Sequence, residues 1–503
     1  MRDFVLLFVN GCRHEIRGPA AFLPLSDYLR YHRRLTGTKI VCSEGDCGAC
    51  AVLVGTPGPD KNQLGYRAIT SCIAMVFQLD GVHFITVEGL AKATKTKEPL
   101  HPVQRAMVSY NGAQCGYCTP GFVVSMAGMC EQHRACGKQP LQDDQIRLGL
   151  TGNLCRCTGY EQILAAAKSV NCTDVLPLNE AYPPNAQMIT AMRHATTTEA
   201  RVEAGDKVFY KPVEIEQACR FKQQNPGCVI VAGGTDVGVL INKGRIDPKI
   251  LMSVSRLPGV DGIEITDAHL VAGMRSTLAD LEEATKSAIP ELHEIMRRHG
   301  SPLIRNAGTL AGNIINGSPI GDTMPALMVL DAEVEVTGLN GSRRVNMNAF
   351  YTGYRKTILA ADELLTRVFI PRPADGELLR LYKVSKRWDL DISTFTAAFL
   401  LKVKAREHSN GNGNGHAGDL TITEARVAYG GVGPVILRLP KTEAFLRGKS
   451  LSEEVMTQAG ELSRKEITPI SDVRSSADYR WQLAENMPLK LFHELGNVEN
   501  ASH

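Results

Sequence analysis

Cys42-Ser-Glu-Gly-Asp-Cys47-Gly-Ala-Cys50 puts three thiols within nine residues, and Cys72 follows after 21 more. C-x4-C-x2-C with a distant fourth cysteine is the plant-type spacing for a [2Fe–2S] cluster. Such a cluster is anionic. It needs four thiolates and backbone N–H groups aimed at its sulfurs, which a loop can supply only by wrapping tightly. Gly45 and Gly48 permit that wrapping because they have no Cβ. Structural zinc shares the C-x2-C element, but the x4 arm with its glycine-rich loop is untypical of zinc knuckles.

A second set reads Gln114-Cys115-Gly-Tyr-Cys118-Thr-Pro-Gly121 and, with 36 residues between Cys118 and Cys155, Cys155-Arg-Cys157-Thr-Gly159-Tyr160. Both pairs stand at expected helix starts, where free N–H groups and the positive dipole end favour an anion. By spacing alone zinc stays open here. A redox dithiol would want a thioredoxin-like βαβ setting, which is missing. Twelve of the 14 cysteines precede residue 173, a clustering that points to metal in a reducing compartment rather than to a disulfide scaffold. Cys12, Cys130, Cys136, Cys172, Cys219 and Cys228 match no motif and read as ordinary thiols.

Two later segments are rich in glycine. Val229-Ile-Val-Ala-Gly-Gly-Thr-Asp236 is an apolar strand running into a Gly-Gly turn, whose N–H groups can cradle a phosphate. It is not G-x-G-x-x-G, so no Rossmann site is expected. Arg305 to Asp322 is dense in Gly, Asn, Thr and Asp within an apolar stretch, and reads on its own equally well as a binding segment or as a decorated turn region.

The elements that must hold these motifs follow from periodicity. Residues 1–90 mix strands (Phe4 to Val9, Cys50 to Val54, Ile69 to Ile73) with a helix near Leu25 to Arg33, and Asn10-Gly11 is a tight turn. Residues 91–170 read as helical: Val103 to Tyr110, Gly121 to Arg134, Asp143 to Leu150, Glu161 to Val170. Residues 171–204, with Pro183-Pro184-Asn185, read as a linker. From 205 to 374 strands, glycine turns and helices alternate, and 375–503 reads as sheet then helices. Ser409 to His416 is a low-complexity hairpin tip. At 503 residues the chain calls for several domains. A net charge of +3 is too mild to argue for nucleic acid or an acidic membrane surface. No apolar run approaches the ~20 residues of a membrane span. With no export signal, the expected location is the cytoplasm.

The motifs QCGYCTPGF and GNLCRCTGY resemble the helical [2Fe–2S] domain of the molybdenum hydroxylases, and CSEGDCGAC is similar to that family's ferredoxin-like domain. The resemblance implies that Cys42, Cys47, Cys50 and Cys72 hold one cluster and Cys115, Cys118, Cys155 and Cys157 a second. The two glycine-rich segments, as a pair, resemble the family's FAD-binding domain. Pro469-Ile-Ser-Asp-Val-Arg-Ser-Ser-Ala-Asp-Tyr-Arg480 resembles its C-terminal domain. The implied fold is multidomain α+β: a ferredoxin-like β-grasp domain, a helical-bundle cluster domain, a vanillyl-alcohol-oxidase-like FAD domain and an α+β C-terminal domain.

Carried over by position, Val229, Ile230, Val231, Ala232, Gly233, Gly234, Thr235 and Asp236 would hold the FAD pyrophosphate and ribitol region. Thr309, Leu310, Ala311, Gly312 and Asn313 would form a second flavin loop. Asp322 would accept a hydrogen bond from the adenosine side, with Leu365 and Lys383 as further contacts. His299 stands where relatives often have Phe, either packing on the flavin or on a helix end. Tyr382 to Ile392 resembles the segment lining the nicotinamide-facing side of the flavin, and Trp388 in it reads foremost as interface packing.

What the resemblance implies for function is electron transfer. Substrate is oxidised at molybdenum on a partner, and electrons pass through two clusters to FAD and on to NAD⁺. Because the chain ends after the FAD unit, a separate molybdopterin-containing large subunit is expected, in a heterotetramer of two small and two large chains. No residue here is expected to transfer protons. Within the family the order cluster, cluster, FAD favours the xanthine dehydrogenases, which oxidise xanthine and hypoxanthine to urate. The alternatives are the same role for an aldehyde or another N-heterocycle, or a zinc-bound scaffold without enzymatic activity.

Overall fold

The computed structural model describes all residues except 59–62, 96–97, 137–140, 185, 406–419 and 502–503. The hairpin tip expected at Ser409 to His416 lies outside the described residues. The chain divides into two compact units. The first is Met1–Val260 with Thr277–Ala279 and Gly300–Thr309, and the second is the remainder. The expected multidomain α+β architecture is borne out.

The first unit opens on a hairpin, β1 (Val5–Val9) and β2 (Cys12–Ile16), joined at Asn10-Gly11, both with positive φ. Helix α1 (Leu25–Asp27) runs on through a wide turn at Tyr28–His32. Strands β3 (Ala51–Pro57), β4 (Leu64–Thr70) and β5 (Val82–Ile85) complete a five-stranded sheet in the order β2-β1-β5-β3-β4. Only β1 and β5 pair in parallel. This is the β-grasp arrangement the sequence predicts.

Four helices follow: α2 (Pro102–Ser109), α3 (Thr119–Cys136), α4 (Asp143–Gly149) and α5 (Glu161–Ser169). Each lies within two residues of its expected bounds. Val123, Val124 and Ala127 of α3 share one buried core with Leu53 and Ala68 of the sheet, so the helical domain is built onto the β-grasp domain.

The stretch expected as a linker is instead folded. It carries α6 (Leu178–Ala181) and α7 (Ala186–Thr197), and Met188, Ile189, Met192 and Ala195 are buried in that same core. The prolines and polar residues masked an apolar stripe of helical spacing, which only a waiting core makes visible. A second sheet then forms from β6 (Ala200–Ala204), β7 (Lys207–Lys211), β8 (Val229–Val231) and β9 (Ile250–Ser253), ordered β6-β7-β9-β8, with helices α8 (Ile215–Gln224) and α9 (Val237–Asn242) in the crossovers. Phe77 of the first sheet's domain and Phe209 of β7 meet at 5.1 Å between ring centroids.

In the second unit, strands Ile263–Ile265, His269–Gly273, Leu364–Pro371, Glu333–Gly338 and Gly341–Asn346 form an antiparallel sheet in that order. A separate antiparallel sheet of Glu377–Val384, Phe395–Ala405, Leu420–Gly430 and Leu437–Arg438 packs on helices Pro440–Leu446, Glu453–Lys465 and Ala477–Ala501. Arg480 is buried there, donating to the carbonyls of Thr394 and Ile470 and pairing with Asp472 at 2.9 Å. Among the described residues no helix is long and apolar enough to cross a membrane.

Candidate functional site

The loop from Cys42 to Cys50 is turned by three left-handed residues, Ser43 (φ 57°), Gly45 (φ 85°) and Gly48 (φ 67°). Cys72 reaches it from the end of β4, where the Ser71 hydroxyl donates to the Cys50 carbonyl at 2.6 Å. The thiol of Cys42 adjoins those of Cys47 and Cys72, and that of Cys50 adjoins Cys72. Hydrogen bonds from Cys47 and Cys72 pull the Cys42 thiol down, and the same contact pushes Cys47 up. Thiols this close cannot all become thiolates without a positive centre between them. The donor set therefore fits an iron–sulfur cluster.

In the second set, Cys157 Sγ lies 3.6 Å from Cys115 and 3.8 Å from Cys155, and the free thiols of Cys118 and Cys155 are hydrogen-bonded to each other. Burial and the Cys155 contact push Cys118 up to about 12. Burial also acts to raise Cys155, but hydrogen bonds led by the Thr158 hydroxyl outweigh it and bring the thiol to about 7. Among the described residues no three His, Cys, Asp or Glu gather around a single ion position. A two-iron cluster takes cysteines in pairs, one pair on each iron.

The two sets are joined at Gly48. Leu154 N–H donates to the Cys47 carbonyl at 3.0 Å, and the Asn153 amide donates to the Gly48 carbonyl at 3.3 Å. A Cβ on Gly48 would overlap the Gly152 carbonyl, and one on Gly121 would overlap the Gly48 carbonyl. Close approach needs glycine at these positions. Cys50 and Cys72 are buried, whereas Cys115 and Cys157 are exposed. Exposed apolar residues adjoin the second set in sequence: Val108, Tyr110, Tyr117 and Leu154. Of the six motif-free cysteines, Cys130, Cys172 and Cys219 are buried, Cys228 half-buried and Cys12 exposed, while the Cys136 side chain lies outside the described residues.

Val229, Ile230 and Val231 form β8, and Ala232 to Asp236 make the turn into α9. Gly234 has φ 72°. A Cβ on Gly233 would overlap the Ala307 carbonyl, so the turn and residues 307–308 meet backbone to backbone. Thr309, buried, bridges Thr277. Leu310, Ala311, Gly312 and Asn313 begin helix Leu310–Asn316, where the Asn313 side chain accepts from the Thr323 hydroxyl at 2.7 Å.

The Asp322 side chain is 8% exposed, with protein partners on both oxygens: Lys383 Nζ at 2.7 Å, His299 Nδ1 at 3.2 Å and the Ser393 hydroxyl. Burial would raise its carboxyl, but the His299 hydrogen bond and the Lys383 charge hold it well below the usual range. Leu365 is buried on a different sheet from Lys383, opposite Val336. Trp388 is exposed, with the Arg298 guanidinium 4.0 Å from its ring centroid.

Three polar residues lie outside every motif read from the sequence: Ser393, which donates to Asp322, Gln78, whose amide donates to the Gly233 carbonyl, and Asn242, whose amide donates to the Ser43 and Cys72 carbonyls. The signal that could have found Asn242 is its place at the end of the helix that follows the Gly-Gly turn.

Three family models match: the [2Fe-2S] binding domain over residues 86–168, the FAD binding domain in molybdopterin dehydrogenase over 201–373, and the CO dehydrogenase flavoprotein C-terminal domain over 380–495. Together these domains fit the iron–sulfur and flavin part of a molybdenum hydroxylase. Xanthine dehydrogenase 1 of Arabidopsis thaliana is 28% identical over 99% of this chain and 40% of its own length. Xanthine dehydrogenase of Blastobotrys adeninivorans is 29% identical over 89% of this chain and 37% of its own. The chain thus spans about 40% of the length of these curated relatives. Among solved structures, a carbon monoxide dehydrogenase chain from Hydrogenophaga pseudoflava is 25% identical, with TM-score 0.50, covering 56% of this chain and 94% of that one. A quinoline 2-oxidoreductase chain from Pseudomonas putida 86, at 23% identity and TM-score 0.50 over 57% of this chain and 96% of that one, shares the fold.

Proposed function

We propose that this chain is the electron-transfer part of a molybdenum hydroxylase, and that the enzyme is a xanthine dehydrogenase. The observation that carries the reading is the backbone contact between the two cysteine sets, with Leu154 N–H on the Cys47 carbonyl at 3.0 Å. Two [2Fe–2S] clusters and one FAD would supply one-electron carriage and its collection into pairs for NAD⁺. The residues supply position. Gly45 lets the loop turn around the first cysteine set, and Gly48 and Gly121 let backbone close between the two sets. Gly233 and Gly234 offer N–H groups to a pyrophosphate. Asp322, whose carboxyl the His299 hydrogen bond and the Lys383 charge hold low, would accept a hydrogen bond from the adenosine side of FAD.

The exposed Cys115 and Cys157, with apolar neighbours on the surface, suit docking of a molybdopterin-bearing large subunit, and we propose a tetramer of two such pairs. Xanthine is favoured over an aldehyde or another N-heterocycle because the xanthine dehydrogenases align along 89–99% of this chain.

The test is to purify the chain with its co-purifying molybdenum partner, add xanthine without oxygen, and follow flavin and iron–sulfur absorbance. Bleaching that NAD⁺ reverses is expected. Bleaching by NADH but not by xanthine removes xanthine and keeps the electron-transfer role. A colourless protein from cells replete in iron and flavin overturns the cofactor assignment.

A further inference from the structure

The Asn242 side chain lies at the end of α9 and donates twice, to the Cys72 carbonyl at 2.8 Å and to the Ser43 carbonyl at 3.0 Å. These two carbonyls belong to different parts of the first cysteine set. Ser43 follows Cys42 in the loop, and Cys72 is the ligand that arrives from β4. One amide therefore holds the remote ligand against the loop.

The rest of α9 is keyed to the same segment. A Cβ on Gly238 would overlap the Ile73 carbonyl, and Val239 packs on Cys50, Cys72 and Ile73. At the other end of the segment, the Gln78 amide donates to the Gly233 carbonyl at 3.1 Å, inside the Gly-Gly turn that starts α9. Gln78 is itself buried, and its side-chain oxygen accepts from Met75 N–H at 3.1 Å. A helix of six residues has no stability of its own in water, so these contacts set its place. Lys243, the next residue, pairs with Glu44 at 2.8 Å and adds a positive charge beside the loop.

We infer that Asn242 is a positioning residue for the cluster of Cys42, Cys47, Cys50 and Cys72. It fixes the spacing of Cys42 and Cys72, and it couples the cluster loop to the flavin turn through α9. The inference rests on the cluster and flavin reading above.

The test is potentiometric titration of the full chain, followed by electron paramagnetic resonance, for wild type, Asn242→Asp and Asn242→Leu. Leu removes both donors at similar size. Asp also sets a carboxylate against two carbonyl oxygens and beside an anionic cluster, so that cluster becomes harder to reduce. At a fixed potential its reduced-to-oxidised ratio should fall about tenfold, which is 59 mV for one electron. In Asn242→Leu its line shape should change while the signal of the second cluster stays as in wild type. Loss of the first cluster alone in either variant also supports the inference. Unchanged potentials and spectra in both variants overturn it, as does a change shared equally by both clusters, even where the melting temperature falls. A wild-type chain showing only the second cluster overturns the cluster reading itself, and is seen before any variant is made.

Discussion

Replacing Asp80 by Ala should destabilise the first unit by about 3–5 kcal/mol, the usual cost of stranding buried charge. The Asp80 side chain is 1% exposed and faces two cations, Arg2 at 2.5 Å and Lys211 at 2.8 Å, and accepts Leu6 N–H at 2.8 Å. Without it, Lys211, itself 1% exposed, keeps the Ala195 carbonyl as an uncharged partner. Arg2 keeps carbonyls, those of Phe4 and Ala195. The group ties β1 to β7 and to the end of α7, so the loss should appear as faster amide exchange in both strands. The melting temperature should fall by roughly 10 °C. The triple variant Arg2→Met, Asp80→Leu, Lys211→Met removes the charges together and should recover most of the loss. Burial acts to raise the Asp80 carboxyl, but Arg2 and Lys211 outweigh it and hold it below the usual range. A lowered folded pKa means this stabilisation is whole above the unfolded carboxylate value of about 4, and is lost as pH falls below it. A single-variant loss under about 1 kcal/mol, or a triple variant as unstable as the single one, refutes stranded charge as the cause.

Other expectations follow from individual contacts. Gly48→Ala forces a left-handed conformation, at about 1–2 kcal/mol, and drives a methyl into the Gly152 carbonyl. Its iron content per chain should fall, and wild-type iron would contradict the joined-cluster geometry. Gly233→Val should weaken FAD retention at least about tenfold, or 1.4 kcal/mol, while leaving iron unchanged, as measured by flavin released on gel filtration. His83 is buried between Tyr66 and Gly11 N–H, and burial lowers it to about 4. The unfolded chain takes up that proton near 6.5, so stability should decline as pH falls from there towards 4. His83→Gln should flatten that slope in urea titrations at several pH values.

Much of the molecule is legible in its sequence because its motifs are local. A cysteine loop with glycines at the turns specifies its own wrapping, and helices in residues 100–170 show a period that survives without context. The strand running into Gly233-Gly234 is readable for the same reason. Residues 171–204 were not, since α7 has little to distinguish it until Met188, Ile189 and Met192 find the core that α3 and the first sheet supply. Asp80, Arg2 and Lys211 are unremarkable charges along the chain, and only the packing that excludes water makes them one group. Residue types and spacing by themselves determined two four-cysteine sets and a phosphate-cradling turn. Tertiary structure decided that the two sets meet at Gly48, and that Asn242 binds Ser43 and Cys72 to the helix after the turn. The hydrogen bonds in those relations join residues 105 to 199 positions apart, and they exist only once the intervening chain has folded.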